Sequence, residues 1–135
     1  MRKDVKNIVD TALENLKMAK DDLEDKSYRG ACFWAQQAAE LFIKAYLVYR
    51  NVFNPHRHLT HNLLFLIEEC IKVDKDFEEL LKIKNKLRRL SEYAISSRYF
   101  FGNMKKISEE EAKEAIEIAE KVKEFVLNKL KGKLE

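Results

Sequence analysis

The most apolar helical pattern of the chain lies between Ser27 and Asn51. Its apolar side chains recur at spacings of three and four residues, and a second apolar row covers much of the remaining circumference. A helix that is apolar on most sides packs among other helices. The alanines allow close approach of neighbouring helices, while Trp34 and Phe42 supply bulk. We therefore expect this helix to be the centre of the fold.

Four other segments show the one-sided apolar stripe of amphipathic helices. These predicted helices span residues 3–25, 61–72, 75–97 and 109–131. Ser27 is the predicted N-cap of the central helix, and Thr60 that of the helix that follows it. Ser108 and Glu111 predict a capping box at the start of the last helix.

Composition also favours a few long helices. Three glycines and one proline among 135 residues leave little material for tight turns. This length supports one hydrophobic core rather than two. We predict an all-α, up-and-down helical bundle of five helices, four long and one short, that forms a single domain over residues 1–135. The apolar central helix and the aromatic pair Phe100 and Phe101 exceed what one small bundle can cover, which predicts a homodimer.

The formal net charge of +3 is unevenly distributed. Residues 27–61 carry four basic side chains and one acidic side chain. A charged fraction of 36% is typical of solvated helix faces and also of proteins from thermophiles. One run of basic residues contains no acid, and it is interpreted either as a phosphate-binding stripe or as an ordinary solvated face. This basic run consists of Lys82, Lys84, Lys86, Arg88 and Arg89.

The two cysteines and the chain's hydropathy indicate a cytosolic protein. Cys32 and Cys70 lie in apolar helical patterns without a CxxC partner, which predicts buried free thiols in a reducing compartment. The first ten residues are charged throughout. No apolar run approaches the roughly 18 residues that a membrane span requires. We expect no membrane partner.

Three histidines, His56, His58 and His61, lie within six residues beside Arg57. Two of the rings could converge on a metal, but no cysteine or carboxylate lies nearby in the sequence to complete a tetrahedral site. We therefore predict neither a metal nor a cofactor. Two other interpretations stay open. One is an anion site at the next helix N-terminus with Arg57 and His61, and the other is simple capping and surface exposure.

Gln37, Glu40 and Lys44 form a polar row on the otherwise apolar central helix. A buried polar row needs partners, and Arg98 or a tyrosine of the fourth helix is a candidate. One interpretation is a paired network that fixes the helix register. The other is a ligand-binding cleft in which Arg98 and Tyr99, with nearby lysines, hold the phosphate of a nucleotide or of RNA.

Three segments together resemble the HEPN (higher eukaryotes and prokaryotes nucleotide-binding) domain. They are WAQQAAELFIKAYL in the central helix, HLTHNL at residues 58–63 and SSRYF at the end of the fourth helix. The resemblance extends over essentially the whole chain. It implies a five-helix bundle that is usually a dimer and is often produced beside a minimal nucleotidyltransferase.

Many HEPN proteins are RNA-cleaving toxins that carry an arginine, four to six residues and then a histidine near the end of helix 4. By resemblance the arginine is Arg98, but residues 99–104 read YFFGNM and Asn103 occupies the first possible histidine position. Asparagine does not titrate, and losing acid–base help costs on the order of 10²–10⁴ in rate. Arg50 and His56 also match the spacing, but they follow the central helix and are interpreted as helix terminus and loop.

The leading hypothesis from the sequence is a dimeric binding module. It binds nucleotide or RNA phosphate through Arg98 and nearby basic groups, or it partners a minimal nucleotidyltransferase in a toxin–antitoxin-like pair. The alternatives are a metal-independent ribonuclease toxin that uses Arg98 with an unidentified proton donor, and a structural helical dimer without a ligand. The incomplete motif argues against an enzyme.

Overall fold

Helices account for all the regular secondary structure that the computed structural model describes. It describes residues 2–99 and 106–133, with side chains for residues 2–94 and 106–133. Within these ranges there are six α-helices, five of at least seven residues, one 3₁₀ helix and no strand. The elements are α1 Lys3–Glu24, α2 Tyr28–Tyr49, α3 Pro55–His58, α4 Leu63–Ile71, the 3₁₀ helix Lys75–Ile83, α5 Lys84–Tyr99 and α6 Glu109–Leu130. The prediction of an all-α bundle is confirmed.

Helix α2 is the central helix, as its two apolar rows predicted. It contacts α1, α4, α5 and α6, and 12 of its 22 residues are buried. Phe42 is fully buried and Trp34 is half-buried. A Cβ at Gly30 would overlap the carboxylate of Asp22, so a larger residue there would require that side chain to shift. The burial of these apolar groups is the main source of stability for the fold.

The predicted caps are partly wrong. Ser27 occupies the N-cap position of α2 but makes no side-chain capping bond. Helix α4 begins at Leu63 rather than at residue 61, because Asn62 is its N-cap and accepts a hydrogen bond from the Phe65 amide at 3.1 Å. The Thr60 hydroxyl instead accepts from the Asn62 amide at 3.1 Å. Thr60 therefore orders the turn before the helix.

The fourth predicted helix is divided into two elements. The Asp74 side chain accepts a hydrogen bond from the Asp76 amide at 3.0 Å, and the chain then forms the 3₁₀ helix before α5 begins at Lys84. Helix α5 extends two residues beyond the predicted end at Ser97. The capping box at the start of α6 is confirmed by hydrogen bonds in both directions between its two members.

Three further predictions concern membrane helices, the two cysteines and the homodimer. None of the described helices combines the length and apolar content that a bilayer crossing requires. Cys32 and Cys70 are buried and free, and burial raises the pKa of Cys32 to about 12. Most apolar side chains of α2 are buried within one chain, while Phe100 and Phe101 lie outside the described residues. The homodimer therefore stays a prediction.

Candidate functional site

The polar row of α2 belongs to a buried hydrogen-bonded group, here called the Glu40 cluster. Glu40 is buried, and its Oε2 accepts a hydrogen bond from Lys44 Nζ at 2.8 Å. Its Oε1 accepts from Gln36 Nε2 at 3.1 Å and lies 2.7 Å from His61 Nδ1. Gln37 Nε2 donates to the Gln36 side-chain oxygen at 2.6 Å. These five residues form a hydrogen-bonded network, which is the first of the two interpretations of the polar row.

Among the described residues, His61 is the partner that Glu40 has outside α2. Gln36 Nε2 also donates to the backbone oxygen of His61 at 3.2 Å, so both the main chain and the ring of His61 are bound to α2. Arg98 and Tyr99 lie in the last turn of α5, and their side chains lie outside the described residues. Asn103 also lies outside them. Their roles in binding stay predictions.

An open groove of about 780 Å³ lies beside His61, between the N-terminal half of α4 and one face of α5. The His61 side chain is 48% exposed, and among the described residues its Nε2 has no hydrogen-bond partner. The groove combines cationic, hydroxyl, acidic and apolar groups. It is lined by Leu59, Thr60, His61, Asn62, Leu64, Phe65, Glu68, Arg88, Ser91 and Glu92. We call it the α4–α5 groove.

A second histidine–carboxylate pair lies only three residues before His61 in the chain. His58 Nε2 is 2.9 Å from Glu69 Oε1, while His58 Nδ1 accepts a hydrogen bond from the Asn54 amide at 2.8 Å. Arg57 also contacts Glu69 Oε1 at 3.0 Å, and Lys72 contacts Oε2 at 2.6 Å. The hydrogen bond from Lys72, with those from His58 and Arg57, lowers the pKa of Glu69 to about 2. Both nitrogens of His58 are therefore engaged.

The anion site considered for Arg57 and His61 is not formed. The two side chains bind two different carboxylates, so they do not converge on one ligand. The amides of Leu63 and Phe65, at the start of α4, donate to side-chain oxygens of the protein. Carboxylates do reach two of the histidines, contrary to the sequence interpretation. Within the described ranges, however, no group of three or more His, Cys, Asp or Glu residues could hold a metal ion.

Arg50 and His56, which also match the spacing of the arginine–histidine motif, have structural contacts. Arg50 follows α2 as its C-cap and donates from Nη1 to the Val73 backbone oxygen at 2.8 Å and to the Tyr46 hydroxyl at 3.1 Å. His56 is exposed in the short helix α3. The interpretation of this match as helix terminus and loop agrees with these contacts.

The basic run of the sequence does not form one continuous stripe. Lys82 pairs with Glu79 at 2.9 Å, and Arg89 crosses to Glu114 of α6 at 2.9 Å. Arg88, the residue before Arg89 on α5, instead lines the α4–α5 groove. Most of this run is therefore a solvated face. Arg88 lines the groove, and its Nη1 donates to the Asn85 side-chain oxygen at 3.2 Å.

The chain belongs to the HEPN domain family, whose model matches residues 5–130. It is a distant homologue of "Putative toxin MJ1304" from Methanocaldococcus jannaschii, with 27% identity over 136 residues that cover 95% of this chain and 89% of the relative. Its fold is similar to that of TT1696 from Thermus thermophilus, a crystal structure. That comparison gives a TM-score of 0.75 and 29% identity, and it covers 93% of this chain and 98% of the other.

Proposed function

We propose that this HEPN protein binds the phosphate groups of RNA or of a nucleotide in the α4–α5 groove. The observation that carries the proposal is that His61 and Arg88 line the groove beside Leu64 and Phe65. Guanidinium groups donate to phosphate oxygens, and an aromatic wall accepts a base. Arg98 lies two turns beyond Ser91 on α5, about 10 Å further along the helix axis, and extends the same proposal.

A matched pair of arginines tests the groove. Arg88 lines the groove, whereas Arg89 is directed to Glu114. We expect Arg88→Ala to weaken the binding of a fluorescein-labelled 2′-O-methyl RNA about fivefold in fluorescence anisotropy, because one phosphate contact is worth about 1 kcal/mol. Arg89→Ala should change the affinity by less than about twofold. Equal effects of the two substitutions would place the RNA elsewhere.

Neutralising an acidic residue of the groove should have the opposite effect on RNA binding. Glu68 is exposed at the groove and would repel a phosphate. Glu68→Gln should therefore tighten RNA binding about twofold to fivefold at low salt, and the gain should diminish as salt screens the charge. Weaker binding by this variant would argue for a cationic or peptide ligand and against the proposal.

The similarity to a protein named as a toxin supports a toxin–antitoxin role, with a minimal nucleotidyltransferase as the proposed partner. A neighbouring reading frame with a GS-x-x-x-D-x-D pattern would identify that partner, and co-purification of the two proteins tests the pair. Production of the chain alone separates the alternatives. A toxin arrests growth unless Arg98→Ala is introduced, whereas a binding module is harmless in both forms.

A further inference from the structure

The hydrogen bonds of His58 require its ring to be neutral. His58 Nδ1 lies 2.8 Å from the Asn54 backbone nitrogen, and a backbone N–H can only donate. Nδ1 therefore carries a lone pair, and Nε2 carries the proton that is donated to Glu69 Oε1 at 2.9 Å. An imidazolium has protons on both nitrogens, so a protonated ring loses the hydrogen bond from the amide.

The short helix α3 depends on this hydrogen bond. It contains only the four residues Pro55–His58, and a helix of that length has little stability of its own. Its N-cap Asn54 is bound at two points, because its amide donates to the ring and its Oδ1 accepts from the His56 amide at 2.8 Å. The ring also packs between Phe53 and Phe65. Loss of the acceptor nitrogen therefore removes a contact that orders the whole helix.

The charged groups around the ring oppose a second proton. Glu69 by itself would favour an imidazolium, but two cations already share its charge. Arg57 of α3 lies 3.0 Å from Oε1, and Lys72, the C-cap of α4, lies 2.6 Å from Oε2. The two aromatic rings that pack on the imidazole bring no charge. A protonated His58 would be a third cation in a buried place, which costs free energy.

His61, at the other end of the same segment, responds to acid in the opposite way. Glu40 accepts hydrogen bonds from Lys44 and Gln36, so the His61 Nδ1 that faces it at 2.7 Å carries a proton. That bond persists when Nε2 is protonated too, and the added charge strengthens it. Acid therefore weakens the attachment of the chain at His58 and preserves it at His61.

We propose that α3 is an acid-sensitive switch, in which proton uptake at His58 Nδ1 breaks the hydrogen bond from the Asn54 amide and opens α3 while His61 stays bonded to Glu40. Leu59 lies between the two histidines, is 78% exposed and lines the α4–α5 groove, so the opening moves one apolar side of that groove. This inference goes beyond phosphate binding and does not depend on it.

The direction of the pH dependence follows from the number of bound protons. The open form of α3 binds one more proton than the closed form, so the closed form loses stability as the pH falls. An unperturbed imidazole takes up its proton near about pH 6.5. The population of the open form should therefore increase below that pH, by up to about tenfold for each pH unit.

Amide hydrogen exchange of the ¹⁵N-labelled wild-type chain between about pH 7.5 and pH 5 tests the switch. After correction for the intrinsic pH dependence of exchange, protection of the Asn54 amide should fall by up to about tenfold per pH unit below about pH 6.5. The amides of Leu63 and Phe65 donate to side-chain oxygens of Ser91 and Asn62, which do not titrate, so their protection should persist. Unchanged protection of Asn54, or an equal loss at Leu63 and Phe65, would overturn the proposal.

A pair of substitutions assigns the response to one ring. His58→Asn places a side-chain oxygen near the position of Nδ1 and removes the titrating group, so the Asn54 amide should be equally protected at both ends of the pH range. His56→Asn is the matched control, because His56 belongs to the same helix and is exposed, and this variant should respond like wild type. An acid response of His58→Asn equal to that of wild type would assign the switch to another group and contradict the proposal.

The ring of His58 gives a second measurement that needs no variant. Its ¹⁵N chemical shifts report proton uptake at Nδ1, which should occur over the same pH range in which the Asn54 amide loses protection. A ring that gains its proton while Asn54 stays protected would show that the amide bond does not link the two events, and the proposal would be wrong.

Discussion

The two histidine–glutamate pairs of this protein contain histidines that lie three residues apart in the chain. They differ in how many ring nitrogens are hydrogen-bonded and in how exposed the ring is. His58 is 4% exposed, and its carboxylate Glu69 is also bound by Arg57 and Lys72. His61 is 48% exposed, and its carboxylate Glu40 is buried beneath it. Both nitrogens of the first ring are bonded, whereas one nitrogen of the second has no described partner. The same chemical pair is therefore enclosed in one place and open to solvent on one side in the other.

The largest expected difference between the pairs is in stability. His58→Ala removes a ring that packs between Phe53 and Phe65, and it leaves the Asn54 amide without its acceptor. We expect this substitution to lower the free energy of unfolding by roughly 2–4 kcal/mol in urea denaturation.

The matched substitution His61→Ala should cost about 1 kcal/mol or less. The ring is half-exposed, and Glu40 keeps its hydrogen bonds from Lys44 and Gln36. Equal losses for the two alanine variants would contradict the distinction between an enclosed and an exposed histidine–glutamate pair.

Acid should weaken the His58–Glu69 pair. The pKa of Glu69 is lowered from 4.5 to about 2, so its stabilising contribution is complete above pH 4.5 and is lost as the pH falls towards about 2. We expect this contribution to be about 1–3 kcal/mol, because solvent screens the half-exposed Arg57 and Lys72 partners. Unfolding followed between pH 6 and pH 2 should show the loss.

The control for this measurement is Glu69→Gln, which removes the titrating group. The variant should be less stable than wild type at pH 6, and its stability should fall less steeply through acid. If the slopes of the two proteins are the same, Glu69 is not the group responsible.

Chemical modification should separate the histidines by access. Diethyl pyrocarbonate reacts with exposed neutral imidazole, so we expect modification of His61 and His56 by mass spectrometry while His58 is spared. Bound 2′-O-methyl RNA should protect His61 and leave His56 reactive. Protection of neither residue would argue against RNA in the α4–α5 groove.

Much of the fold could be predicted because it follows from local periodicity. The two apolar rows of α2 require cover on most sides, and the structure supplies that cover from four helices. The cap of α4 was misplaced because Thr60 and Asn62 are both good capping residues, and sequence alone does not rank them. The division after Asp74 was missed because a 3₁₀ helix keeps nearly the same apolar spacing as an α-helix.

The candidate site was only half predictable. Glu40 and Lys44 stand one helical turn apart, so their pairing is visible in the sequence. The hydrogen bond between Glu40 and His61 joins residues 21 positions apart, and it depends on the path of the loop that follows α2. Gln36 was missed as a partner, although an amide on an otherwise apolar helix, one turn before a glutamate, was the available signal.

The most direct test of the account is the tautomer of each ring, read from long-range ¹H–¹⁵N correlations in alkaline buffer, where imidazoles are neutral. The account predicts opposite tautomers: the proton on Nδ1 of His61, donated to Glu40, and on Nε2 of His58, donated to Glu69. Glu40→Leu should let the His61 ring exchange between tautomers and leave His58 unchanged. A His61 ring that carries its proton on Nε2 in the wild-type protein would contradict the claim that Glu40 fixes the tautomer of His61.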